Sequence, residues 1–372
     1  MTRTTGLPGY AEHFSEPEGY LDFARYGPPS RDVLDATAAA LAASARADHT
    51  TVNDLMWAEP RARAAAARLA GTDTAHIALL PNTSTGLFHA AFGIPSGVVL
   101  VPSADFPANH YPWRRTAALG RAEPRWLDAR PTPDAVRAAL TDDVVAVSLS
   151  AVDFRTGYRA DLAAIREVIG DRLLVVDAMQ GLGVADLPWE AADVVVAGGQ
   201  KWLRASWATG FAALSDRALE RLEPTLTGWT GIEDVAVFDD TEHPVAPDAL
   251  RWSITNLSPV TAAAFAAALE LVERVTVPAI AAHVATRVDE LIDAVRAHGG
   301  EILSPTAPHE RAGIVSFRLP GTDPARVAEA LHAQEVTPSV RADSVRLSAH
   351  ASTTAGAVER VLAGIKAVAD SR

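Results

Sequence analysis

The sequence has 372 residues, 48% of them apolar, with 33 basic and 46 acidic side chains, a formal net charge of −13 and no cysteine. That length predicts a large domain with a smaller one beside it, and the acidic balance argues against nucleic acid or an anionic membrane as partner. Without cysteine there is no disulfide, no thiolate metal site and no mechanism that needs a thiol nucleophile or a persulfide carrier.

At the start, Met1-Thr2-Arg3-Thr4-Thr5 is not followed by the apolar region of a signal peptide. No apolar stretch approaches the roughly 18 residues of a membrane span, so the expected setting is cytoplasmic. A short apolar-aromatic segment, Tyr20 to Tyr26, precedes Pro28-Pro29-Ser30-Arg31-Asp32, which breaks the chain and caps a helix with the Val33–Ala47 pattern. A second helix covers about Trp57 to Leu69. Strand and helix signals then alternate. Strand-like runs fall at Ile77–Leu80, Val98–Pro102, Arg125–Leu127, Val144–Ser150, Leu173–Asp177, Val194–Ala197 and Gly210–Leu214. Several are almost wholly apolar, which is the pattern of strands buried on both faces. The expected fold is therefore α/β, a largely parallel sheet of about seven strands with helices on both faces. A long helix from Val260 to Arg274 leads away from it, and Pro278 breaks the pattern. The remainder reads helix, strand (Ile302), strand (Ile314–Leu319), helix (Asp323–Gln334), strand pair (Val336–Val340 and Ser344–Leu347) and helix. This is an α+β C-terminal domain starting near residue 275. The expected division is 1–45 as a segment joining the small domain, 46–274 as the large domain and 275–372 as the small one.

Only two of the 33 basic residues are lysine, Lys201 and Lys366. Arginine replaces lysine in ion pairs and on solvated faces, but its guanidinium stays protonated and forms no imine. A lysine amine desolvated enough to lose its proton does form one. Lys201 follows the apolar run Val194-Val195-Val196-Ala197 and the turn Gly198-Gly199-Gln200, so it leaves the end of a buried strand; Lys366 lies in the last helical pattern, where a solvated lysine is ordinary.

Two further stretches place chemistry at strand ends. In Leu79-Leu80-Pro81-Asn82-Thr83-Ser84-Thr85-Gly86, a strand enters a turn of hydroxyl residues and then a helix. Helix N-terminal N–H groups beside three hydroxyls form a site for one compact phosphate, whereas plain N-capping needs just one of them. No Gly-Lys-Ser/Thr follows, so this is not a P-loop. Asp177 ends the apolar strand Leu173-Leu174-Val175-Val176, and a carboxylate there needs a cationic partner. A protonated pyridine nitrogen, a magnesium ion and an arginine would each serve. The 24 residues from Asp177 to Lys201 fit one strand–helix–strand unit, which sets both at the same edge of the sheet.

The pair Asp177-Ala178-Met179-Gln180-Gly181 and Gly199-Gln200-Lys201-Trp202-Leu203 resembles the class V aminotransferase family of fold-type-I pyridoxal-phosphate enzymes, over nearly the whole chain. Asn82-Thr83-Ser84-Thr85, Asp105 to Tyr111, Phe154-Arg155-Thr156-Gly157 and Thr227-Gly228-Trp229-Thr230-Gly231 resemble kynureninase and isopenicillin-N-epimerase-like members. Val345-Arg346-Leu347-Ser348-Ala349-His350 is similar to the Arg-x-Ser-x-His segment of hercynylcysteine sulfoxide lyases. The resemblance implies pyridoxal 5'-phosphate held by Lys201 as an imine, with Asp177 on the pyridine nitrogen and Gln180 near the phenolic oxygen. It implies Thr83, Ser84 and Gln200 on the phosphate, Phe106 stacked on the ring, and Thr255 reaching the phosphate of a neighbouring subunit in a homodimer. Arg346 would grip the substrate carboxylate, with Asn109 and Trp229 also at the substrate; no metal ligand is implied. The chain departs from the family where Arg204-Ala205-Ser206-Trp207-Ala208-Thr209-Gly210 replaces a Gly-Pro-rich segment, and where Asp153 stands for the asparagine of desulfurase relatives. The implied activity is that of an enzyme acting on an α-amino acid. The leading expectation is a lyase that cleaves a C–S or other β-bond by β-elimination. An aminotransferase, a kynureninase-like hydrolase or an epimerase are the alternatives. A non-catalytic binder would lack Lys201 or Asp177, and both are present.

Overall fold

The computed structural model describes residues 7–370; the Met1–Thr5 stretch lies outside them. Seven strands form the main sheet: β1 (Ile77–Leu79), β2 (Val98–Pro102), β3 (Glu123–Leu127), β4 (Val144–Ser150), β5 (Leu173–Asp177), β6 (Val194–Gly198) and β7 (Gly210–Leu214), in the order β1-β7-β6-β5-β4-β2-β3. From β3 to β6 all neighbours are parallel, while β7 runs antiparallel to both β6 and β1. The period of two decides which residues face which layer. Leu174 and Val176 of β5, with Val195 and Ala197 of β6, join the core that includes Ile165 and Phe265. Leu173, Val175, Val194 and Val196 face the opposite core, with Leu87, Ala90 and Ala91 of the Thr83–Gly93 helix and Trp113. Apolar residues at every position are thus required, because both faces are covered.

Four further strands, β8 (Glu301–Ile302), β9 (Ile314–Arg318), β10 (Ser339–Val340) and β11 (Val345–Ser348), make an antiparallel sheet in the order β10-β11-β9-β8. The helices Val277–Arg296 and Pro324–His332 pack with the Ala355–Asp370 helix beside it. Of the expected Val336–Val340 strand only Ser339–Val340 joins β11; Glu335 adopts a left-handed backbone (φ 59°), and Thr337 pairs instead with Tyr20 of the N-terminal segment. The helix Pro259–Val275 meets the Val277–Arg296 helix across Thr276 (φ 77°).

The N-terminal segment touches both sheets' surroundings. Tyr20 and Asp22 make parallel bridges to Thr337 and Ser348, and Ser348 N–H donates to Leu21 O at 2.7 Å. The Arg31–Ser44 helix, capped by Ser30 Oγ on Val33 N–H, packs instead on the Pro259–Val275 helix. Among the described residues no helix is long and apolar enough to cross a membrane.

Candidate active site

The carboxyl ends of β5 and β6 open on a cavity of about 810 Å³ between the main sheet and the β10–β11 hairpin. Asp177 is the last residue of β5, in register with Ser150 of β4 and Val196 of β6, and is 4% exposed. Its Oδ1 accepts from Met179 N–H at 2.9 Å. Lys201 lies three residues past the end of β6, with Nζ 5.5 Å from the centre of the Phe106 ring. Burial pushes the Asp177 carboxyl up, reinforced by the negative charge of Asp105. Burial also pulls the Lys201 amine down, against the attraction of Asp177. Each group loses hydration that its charged form needs, and each is the other's partial compensation. Lys366, by contrast, is exposed on the Ala355–Asp370 helix.

The turn after β1 is built for an acceptor that the protein does not itself supply. Asn82, not a hydroxyl residue, caps the Thr83–Gly93 helix: its Oδ1 accepts from Thr85 N–H at 2.9 Å and from Thr85 Oγ1 at 3.1 Å. Thr83 Oγ1 is buried with no hydrogen-bond partner, and Ser84 lines the cavity beside it. Gly198 makes this convergence possible. A Cβ there would come within 2.4 Å of Met179 Cε, 2.8 Å of Gln200 Oε1 and 3.0 Å of Thr83 Oγ1. A free helix N-terminus with an orphaned hydroxyl and a glutamine amide is a donor set suited to a phosphate.

Gln180 also lines the cavity, and both ends of its amide are engaged: Nε2 donates to Ala24 O at 3.0 Å and Oε1 accepts from Trp202 Nε1 at 2.7 Å. Phe106 is 41% exposed to the cavity and meets Phe154 edge-on at 5.1 Å. Asp105 fixes that loop, accepting from Ser150 N–H and Asn109 Nδ2, each at 2.9 Å, and from Phe106 N–H at 2.6 Å.

Arg346 reaches the cavity from β11 but is far from the solvated strand arginine that its position allows. Its Nη1 donates to Phe154 O at 2.7 Å, and its Nη2 to Ser339 Oγ at 3.0 Å and to Asp22 at 3.3 Å, leaving only buried Nε without a partner. Burial, then repulsion from Arg341, pull its pKa down to about 10. Asp22 and Arg341 are cavity residues that the sequence reading missed, as are Arg25 and Phe154. Asp22 carried a signal, a lone carboxylate within Tyr20-Leu21-Asp22-Phe23.

Three expected residues stand elsewhere. Asn109 is fully buried behind the cavity, where Oδ1 accepts from Ser148 Oγ and Trp113 Nε1 while Nδ2 holds Asp105; no polar atom is left for a substrate. Trp229 and Thr255 do not line this cavity, and Trp229 Nε1 donates to Thr255 Oγ1 at 3.3 Å on an exposed surface. They travel together because Gly228 N–H is tied to Ser253 O at 3.0 Å. Asp153 turns its carboxylate to Arg155 and to the Thr156 N–H, in a neighbouring cavity.

The segment after Lys201 makes its left-handed turns without glycine. Arg204, Ser206 and Ala208 all take positive φ (56°, 72° and 59°). Arg204 is buried, paired with Glu16, and donates to Pro28 O at 2.7 Å and Ser352 Oγ at 3.0 Å. Trp207 stacks on Tyr26 (5.9 Å between centres, 12° between planes) at the edge of the cavity. His350 Nε2–H donates to Trp202 O at 2.9 Å, so β11 also braces the Lys201 loop.

Comparison with known proteins agrees with this geometry. The aminotransferase class-V family model matches residues 20–351. A kynureninase of Deinococcus radiodurans is 30% identical over 281 residues, covering 72% of this chain and 67% of that protein. A probable cysteine desulfurase of Aeropyrum pernix is 29% identical, covering 68% of this chain and 66% of that one. The chain thus spans about two thirds of the length of both relatives. The structure of the cystine C–S lyase C-DES in complex with its product, cysteine persulfide, superposes with a TM-score of 0.85 at 21% identity, covering 96% of this chain and 98% of that chain. With a family match across most of its length and this sheet beneath its site, the chain belongs to the class V aminotransferases, pyridoxal-phosphate-dependent enzymes that act on amino acids.

Proposed function

We propose that this protein is a cytoplasmic, homodimeric lyase that binds pyridoxal 5'-phosphate at Lys201 and cleaves a C–S or other β-bond of a cysteine-like conjugate. The observation that carries the reading is the pairing of a desolvated lysine with a buried aspartate across β5 and β6, next to a hydroxyl with no partner. The residues fit the cofactor. Thr83, Ser84 and Gln200 would hold the phosphate, Phe106 would lie against the ring, Asp177 would pair with the pyridine nitrogen and Gln180 would stand near the phenolic oxygen. When bound, the cofactor supplies an electron sink for charge developed at the substrate's α-carbon.

The chain's own residues do the rest. Burial lowers the proton affinity of Lys201, so its Nζ is a competent base for an α-proton near neutral pH. A cation beside Asp177 repays the desolvation that otherwise favours its neutral form. Arg346, held by Asp22 and Ser339, keeps one buried donor, Nε, without a partner, and would offer its charge to the substrate carboxylate. Sulfur transfer to the enzyme has no counterpart, because the sequence contains no cysteine. The exposed Trp229–Thr255 pair supports a role on the partner subunit's site.

A second reading, kynureninase-like hydrolysis, draws on the 30% identical relative. The deciding experiment adds a panel of cysteine S-conjugates, amino acids and kynurenine to the holoenzyme and assays pyruvate, ammonia, 2-oxo acids and anthranilate together. Equimolar pyruvate and ammonia are expected. A 2-oxo acid formed stoichiometrically with amino transfer to an acceptor, or anthranilate release, overturns the lyase reading.

A further inference from the structure

Ionic pairing within the cavity leaves two cations over. Four cationic side chains of lysine or arginine line it, Lys201, Arg25, Arg341 and Arg346, against two carboxylates, Asp22 and Asp177. Asp177 attends Lys201, and Asp22 is bonded to Arg346. Arg25 and Arg341 have no carboxylate and no side-chain hydrogen bond among the described residues. Other arginines, such as Arg61, Arg68, Arg125 and Arg318, each find an acid on the surface; what sets Arg25 and Arg341 apart is that they line this cavity. With 46 acidic residues available, partners were not scarce.

Their placement is directional. Lys201 Nζ stands over the Phe106 ring, Phe106 meets Phe154 edge-on, and the Arg341 guanidinium stands 5.7 Å from the centre of the Phe154 ring. Arg341 is therefore separated from the reacting amine by two aromatic rings, and it reaches the cavity from just past β10. Arg25 comes from the N-terminal segment, whose neighbour Ala24 is pinned by N–H to Ser348 Oγ at 2.9 Å and by O to Gln180. Two unrelated parts of the chain thus bring unpaired guanidinium groups to one cavity. The phosphate site uses helix N–H groups and hydroxyls, so it takes up neither.

We propose that Arg25 and Arg341 form a second anion subsite, and that the substrate is an α-amino acid whose side chain ends in an oxyanion such as a carboxylate. This rests on the reading of the cavity as the amino-acid site but not on which bond is cleaved. An α-carboxylate accounts for one anion; the remaining cationic capacity selects a second one, held by charge-assisted hydrogen bonds that a neutral amide cannot match.

The test is binding of acid–amide pairs to the holoenzyme, read from the change in the cofactor's visible absorbance rather than from turnover. L-Glutamate is compared with L-glutamine, and S-(2-carboxyethyl)-L-cysteine with S-(2-carbamoylethyl)-L-cysteine. The acid of each pair should bind about ten- to a hundredfold more tightly. In the Arg25→Gln/Arg341→Gln double variant the preference should shrink to less than about threefold, and in Arg155→Gln, which removes one nearby positive charge outside the cavity, it should persist. Equal binding in the native protein, absent binding of the acids, or a preference that survives the double variant overturns the proposal. If the preference behaves as expected while neither conjugate yields pyruvate, the subsite stands and the lyase reading fails.

Discussion

Thr83→Val should move apo-protein stability and cofactor affinity in opposite directions. The two side chains have nearly the same shape and both are β-branched, so the first turn of the Thr83–Gly93 helix keeps its propensity. What changes is one hydroxyl that is buried and has no partner. Leaving such a group unsatisfied costs about 1–3 kcal/mol, so its removal should leave the apo protein unchanged or stabilise it by up to that amount. With a phosphate at the helix start, the same hydroxyl becomes a donor to a charged acceptor, worth about 1.5–3 kcal/mol. At about 1.4 kcal/mol per factor of ten, the variant should bind pyridoxal phosphate roughly ten- to a hundredfold more weakly. Urea unfolding of the apo protein gives the first number and equilibrium dialysis against the cofactor the second. A variant that is destabilised when apo yet binds the cofactor as tightly as the native protein would refute the placement of the phosphate.

Borohydride reduction of the holoenzyme should fix the cofactor on Lys201, and Lys201→Arg, which keeps the charge but forms no imine, should abolish that label; a label on Lys366 would sink the reading. Gly27→Ala should unseat the Lys201 loop, since a Cβ there would lie 1.9 Å from Lys201 O. A loss of at least about 3 kcal/mol in unfolding free energy is expected, together with loss of the cofactor's visible band. Acid should weaken the fold through two buried histidines. Burial lowers His89 to about 4 and His350 to about 3, so both rings stay neutral in the folded protein while the unfolded chain binds protons below about 6.5. Their contribution is complete above that pH and is lost as pH falls, by about 2 kcal/mol each at pH 5. His89→Phe, which keeps a ring against Trp252, should therefore show a shallower fall in urea midpoint between pH 7 and pH 5 than the native protein; an identical slope would contradict the burial argument.

The inner strands of the main sheet were legible because burial on two faces forces continuous apolar runs, and Val194–Gly198 is the clearest case; the edge strand β3, only partly buried, carried a shorter signal, Arg125–Leu127. The placement of Asp177 and Lys201 was legible for a related reason, since one crossover separates two adjacent parallel strands, although that crossover carries only a 3-10 turn, Trp189–Ala191, where a helix was expected. Residues brought in from far along the chain were not. Asp22, Arg25 and Arg341 reach the cavity only because the N-terminal segment bridges Thr337 and Ser348, and nothing local in either stretch encodes that pairing. Asn109 misled in the other direction. Its neighbour Phe106 does face the cavity, but the Pro107–Asn109 turn carries the amide inward to Trp113 and Ser148. The phosphate turn was read from its three hydroxyls, whereas Asn82 does the capping and thereby frees Thr83.

The position of β7 has a consequence for the order in which the chain acquires its shape. β1 has one neighbour in the sheet, β7, and β7 lies between it and β6. During synthesis the Asn82–Ser84 turn therefore emerges attached to a strand with no sheet partner, until residues 210–214 arrive more than a hundred positions later. The parallel block β2 to β6 has no such wait, because each of its strands finds a partner already in place or next in line. Closing so long a loop is slow relative to local pairing. A nascent chain stalled just short of β7 should thus carry Lys201 and Asp177 yet fail to retain the cofactor, and the edge of β6 that it leaves bare is the surface a chaperone would need to guard.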